Sequence, residues 1–168
     1  MESLMANSEI DMLLRLIDQA YDRKAWHGPN LRGSVRGLDY RIAAWRPKPG
    51  RHNIWDIVVH TAYWKYAVRR RLLGLKRGSF PHKGSNWLPR PIGASAQSWE
   101  ADLALLAETH QLLRITVAGL RKADLPLKSR GSKFSNFDLI TGIAAHDVYH
   151  AGQVQLLKRM AAQSARRK

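Results

Sequence analysis

The sequence predicts an all-α protein, a four-helix bundle with a long crossover between its second and third helices. Three observations carry that expectation. Four stretches repeat apolar residues at three- and four-residue steps. No alternating apolar–polar run is long enough for a strand. A glycine- and proline-rich stretch over residues 76–94 separates the second periodic segment from the third. A chain of 168 residues fits one domain, residues 1–168, with a basic tail from about residue 160.

The first helix is expected from about Met5 to Lys24, where Ile10, Leu13, Leu14, Ile17 and Tyr21 form one apolar stripe. His27, Gly28, Pro29 and Asn30 break it. Leu31 to Leu38 read as one or two further turns. Asp39 is placed to cap a short helix through Trp45, which Pro47 and Pro49 stop. The second long helix starts at Asn53, where Asn53 and Asp56 form a variant capping box. Ile54, Ile57, Val58, Ala62 and Leu72 continue its apolar face, and Gly74 and Gly78 end it. A connection as long as 76–94 returns the chain to the other end of a bundle, so that its flanking helices run parallel. Phe80, His82 and Trp87 are bulky for a passive linker, which makes a lid the second reading of this segment. The third helix is expected from Ser95 to Arg121, closed by Pro126, and the fourth from Ser135 to about Ala162. Ser135 and Asp138 form its capping box.

Composition narrows the function classes. There is no cysteine, which excludes disulfides, thiolate nucleophiles, iron–sulfur clusters and cysteine-based zinc sites. No apolar run approaches a membrane span, and the acidic N-terminal segment does not read as a secretion signal, so a soluble cytoplasmic protein is expected. The net charge of +15 raises nucleic acid as a partner. The distribution argues against it: Arg69, Arg70 and Arg71 fan around a helix axis, and the cations near the end suit a helix C-terminus.

The chemistry concentrates in imidazoles. His146 and His150 stand four residues apart on the last helix, one above the other on its core-facing side. Two such rings can hold one divalent ion, or can be satisfied core or surface histidines. His60 lies mid-helix on the apolar face of the second helix and can complete a three-imidazole site. Three neutral imidazoles leave an ion with its full charge and open positions, an arrangement suited to ionising a water or a thiol. The ligand type suits zinc, nickel, iron and copper alike. His27 and His82 fall in loops, His52 precedes a helix cap, and His110 reads as a core histidine. Asp56 sits one turn before His60 and has two readings, orienting that ring or capping the helix, of which the cap is preferred. Trp64 walls a pocket or simply fills the core. Gln153 meets a ligand or faces solvent. Asp147 and Tyr149 point away from the ligand face by the helical step. Gly142, one turn before His146, marks either close helix approach or space beside an ion. The residues between the two histidines are not those of H-E-x-x-H, which removes the metalloprotease reading.

These residues carry a resemblance. His60 in IWDIVVHTAYWK, the upstream AAWRPKPGRHN, and GIAAHDVYHAGQVQLLKR on the last helix resemble the DinB-like (YfiT-like) superfamily across nearly the whole chain. The resemblance implies a four-helix bundle with a long crossover, a divalent metal held by His60, His146 and His150, and homodimerisation. Related proteins include S-transferases that use bacillithiol or mycothiol and a mycothiol-dependent isomerase. The implied function is therefore metal-dependent transfer or hydrolysis on a small-molecule substrate, transfer being preferred, with a low-molecular-weight thiol as cofactor. The alternative is a non-catalytic module in which the metal is a clasp, or a DNA-damage-related protein that meets nucleic acid.

Overall fold

The computed structural model describes residues 8–76, 78–88, 94–129 and 132–166. The expected start of the first helix at about Met5, part of the crossover and the last two residues of the basic tail lie outside the described residues. The order is α1 (Ser8–Tyr21), α2 (Leu31–Val35), α3 (Tyr40–Ala44), α4 (Ile54–Leu72), α5 (Ala96–Ala118) and α6 (Asn136–Arg166), with a 3-10 turn at Lys122–Asp124. Among the described residues there is no strand, and no helix is long and apolar enough to cross a membrane.

Local chemistry sets most boundaries. Asn30 caps α2 through Gly33 N, and Asp39 caps α3 through Arg41 N. Both expected capping boxes form: Asn53 with Asp56 at α4, and Ser135 with Asp138 at α6. Three boundaries differ from expectation: α6 continues past the expected Ala162 to Arg166, and α1 and α5 stop early. α1 stops at Tyr21, not Lys24, because the Asp22 and Arg23 amides both turn back to the Asp18 carbonyl. α5 stops at Ala118, not Arg121, because the Gly119 amide bonds the Ile115 and Thr116 carbonyls and caps it.

Contacts fix the topology. Near the N-termini of α4 and α5, Trp55 packs edge-on against Trp99 at 5.2 Å and donates from Nε1 to Asp102 at 2.6 Å. These helices are therefore parallel, as the long crossover requires. α1 is antiparallel to α5, since Glu9 pairs with Lys122 and Asp18 with Arg114. α6 is antiparallel to α4, since Val68 faces Leu139 across one cleft while His60 meets His146 and His150.

The core has two apolar halves. One gathers Trp55, Ile57, Leu106 and Val154 with α2; the other gathers Ile10, Ile17, Leu113, Val117 and Ile140. Burying each such aliphatic side chain contributes about 1.5–3 kcal/mol. Polar residues occupy the level between the halves: Lys65 on α4, His110 on α5 and Asp147 on α6, all buried. Lys65 and Asp147 form an ion pair, and the Lys65 ammonium lies 5.1 Å above the Tyr21 ring.

His110 stacks on Tyr21 at 3.7 Å. Burial, and then the nearby Lys65, Arg114 and Arg32 charges, push its pKa down to about 2. Its folded pKa lies below the unfolded value of about 6.5. Stability is thus full above that value and falls as pH drops, by about 2 kcal/mol at pH 5 from this ring alone. Urea titrations at pH 7.5 and 5 are expected to show at least that loss, and His110→Gln is expected to remove the part due to this ring.

Candidate metal centre

The mid-helix position of His60 and the stacked positions of His146 and His150 bring three rings to one point. Nε2 of His146 is 3.1 Å from Nε2 of His60 and 3.1 Å from Nε2 of His150. One ligand atom from each residue lies within 4.8 Å of the others. Nitrogens held at roughly 2.0–2.1 Å around one tetrahedral ion would stand about 3.3 Å apart, close to these separations.

The tautomers sharpen the point. Nδ1 of His60 is 3.0 Å from the carbonyl of Asn86, which only accepts, so this nitrogen carries the proton. Nδ1 of His150 donates to Oε1 of Gln153 at 2.7 Å, and Nε2 of Gln153 donates to the Tyr149 hydroxyl at 2.9 Å. Both Nε2 atoms therefore present lone pairs to His146. One proton on His146 can serve one of them and leaves the other facing a nitrogen. Nδ1 of His146 is buried without a partner among the described residues, and an ion at Nε2 leaves it so. A cation accepts all three lone pairs at once, so the donor set fits a divalent ion.

Electrostatics agree. Desolvation holds His60 down to about 4 and His146 down to about 3, with the neighbouring histidines adding to the depression. Burial also lowers His150, against the opposing hydrogen bond that it donates to Gln153. All three rings are neutral at pH 7, as ligation demands.

The expected accessory residues have separate fates. Asp56 is committed to the helix cap and to Arg46, at 2.6 and 3.1 Å, and the ring of His60 is oriented by Asn86 instead. Trp64 is half-buried and donates from Nε1 to Oδ1 of Asn86 at 3.0 Å. It walls a cleft of about 230 Å³ that Val68, Leu139, Gly142 and Ile143 line and that reaches His146. A Cβ at Gly142 would meet nothing within 4 Å, so this glycine makes space beside His146 and does not admit a neighbouring helix. Gln153 fixes a ligand-face ring. Tyr149 is exposed yet reaches the site through Gln153, while Asp147 faces the opposite way into the core.

Sequence reasoning missed Asn86 and the use made of Trp87. Asn86 has φ +63°, a left-handed conformation that Asn tolerates better than most residues. The bend aims its carbonyl at His60 and its side chain at Trp64. Trp87 is stacked between His60 at 3.8 Å and His52 at 3.6 Å. The crossover segment therefore covers the imidazole cluster. An Asn following several glycines was the one available signal, and it had no periodicity to support it.

Four long helices with three convergent imidazoles between α4 and α6 define the class: a helical bundle whose residues can hold a metal ion. The DinB superfamily model matches residues 23–154, and the chain belongs to that superfamily. No curated protein and no solved structure matches the chain.

Proposed function

We propose that this protein is a metal-dependent enzyme acting on a small organic molecule, with His60, His146 and His150 as the ligands of a divalent zinc, nickel or iron ion. The observation that carries the reading is the meeting of three neutral Nε2 atoms at the end of an open cleft. A structural clasp would not need that opening. When bound, such an ion supplies Lewis acidity that ionises a thiol or a water at neutral pH.

The chain's own residues do the rest. Asn86 and Gln153 hold two rings in the ligating tautomer. Trp64, Val68, Leu139 and Ile143 offer an apolar wall to the substrate body. Arg71 and Asp138 line the same cleft, but Asp138 is bound to Ser135, whose hydrogen bonds hold its carboxyl below the usual range. Among the described residues lining this cleft, none is thus set up as a separate general base, which favours thiol transfer to an electrophile over hydrolysis.

Metal-loaded protein assayed against a panel of electrophiles with different low-molecular-weight thiols tests this directly. Thiol-dependent product formation is the expected result; turnover with water alone would make it a hydrolase, and no turnover of either kind would overturn the enzyme reading. The tautomer argument has its own test. Gln153→Ala is expected to weaken metal affinity about 10–100-fold. Asn86→Gly keeps the bend and should retain affinity, while Asn86→Val strains it and should not; competition with a chromophoric chelator measures both.

The proposal includes a homodimer. Met12 and Leu16 on α1 and Ile115 on the neighbouring α5 are exposed apolar side chains that such an interface would cover. Sedimentation velocity reads the outcome.

A further inference from the structure

A second cleft, of about 480 Å³, lies beside the imidazole cluster and behind Trp87. Its volume falls within the roughly 300–1,000 Å³ of small-molecule sites. Its inner end is Trp87 and Gln153, each of which touches a histidine of the cluster. Leu156 and Met160 on α6 give it an apolar side, and both remain partly open to solvent.

The rim is of the opposite character. Lys48 and Arg51, on the turn between α3 and α4, line the cleft and are exposed. Neither has a carboxylate partner among the described residues, and no carboxylate lines the cleft. The turn that presents them is braced. Gly50 takes φ +74°, the Arg51 amide bonds the Lys48 carbonyl at 3.2 Å, and Arg46 ties the Arg51 carbonyl at 2.5 Å to the Asp56 carboxylate. Two unpaired cations are thus held at the mouth of an apolar slot. This arrangement suits a ligand with a negative head and an apolar body.

We propose that this cleft binds an amphipathic organic anion, a carboxylate carrying an alkyl or aryl body, with its head on Lys48 and Arg51 and its body along Leu156 and Met160. Its service as a second substrate subsite rests on the metal-enzyme reading above; the binding itself does not.

Calorimetric titration of the full chain with octanoate, octanol and octylammonium tests the binding. Octanoate is expected to bind in equimolar amount, about tenfold tighter than octanol, with octylammonium weakest. The K48E/R51E variant is expected to lose about tenfold toward octanoate while octanol binding and metal content stay unchanged. K48Q/R51Q provides the same comparison without charge reversal. Leu156→Asp is expected to weaken both octanoate and octanol. Equal affinity for octanoate and octanol, or octanoate binding indifferent to both double variants, would overturn the proposal. Repeating the titration in the His146→Ala background separates the two readings. Persistence of octanoate binding that still depends on Lys48 and Arg51 supports the cleft even if the metal site is absent. Its disappearance there would place the carboxylate on the ion and overturn the cleft assignment.

Discussion

Replacing His146 with Ala is expected to abolish stoichiometric metal binding. This ring is the common neighbour: its Nε2 lies 3.1 Å from both of the others. Its removal leaves two lone pairs with no third donor between them. His60→Ala and His150→Ala each remove one contact and should also fall below stoichiometric binding. Elemental analysis of protein purified from metal-supplemented culture, with chelator competition, gives the affinities. Retention of one equivalent by all three variants would refute the assignment. Secondary structure should survive, because the two apolar halves of the core lie above and below the site and neither needs an ion.

The second large effect concerns the Lys65–Asp147 pair, which is buried and sits between those halves. Removing one partner leaves a charge in an apolar surround, which costs about 3–5 kcal/mol. Burial already raises the carboxyl pKa of Asp147, and its Oδ1 has no hydrogen-bond partner among the described residues. Lys65→Met and Asp147→Leu are each expected to lose that much in urea unfolding. The double variant is expected to regain most of it, since two apolar side chains of similar volume suit the site. Metal affinity should not recover in parallel. The pair joins α4 to α6 next to His146 and one and a half turns from His60, so it sets the register in which the three rings meet. A double variant as tight for metal as the parent would deny that role.

Much of this was legible in the sequence. Capping pairs such as Asn53 with Asp56 are local, and their hydrogen bonds form within one turn, so spacing alone finds them. His60, His146 and His150 stood out because imidazoles on apolar helix faces need partners. The rest depended on distant contacts. Lys65 and Asp147 are charged residues, which default to a solvent reading until the two helices are docked. Asn86 and Trp87 belong to an irregular segment where no period marks a face, and their roles come from a single backbone bend. The sequence places the end of α5 at Arg121, ahead of the breaker Pro126, whereas the chain already turns at Gly119 through backbone bonds that no residue pattern marks.

His60 and His146 are separated by 86 positions. A ribosome adding about 5–20 residues per second exposes the first ring several seconds before the other two. During that interval a nascent chain has one imidazole of this set and no cage. Cation capture at this site would therefore follow docking of α6 onto α4, and retained metal would report that synthesis and assembly of that chain have both run through to the last helix.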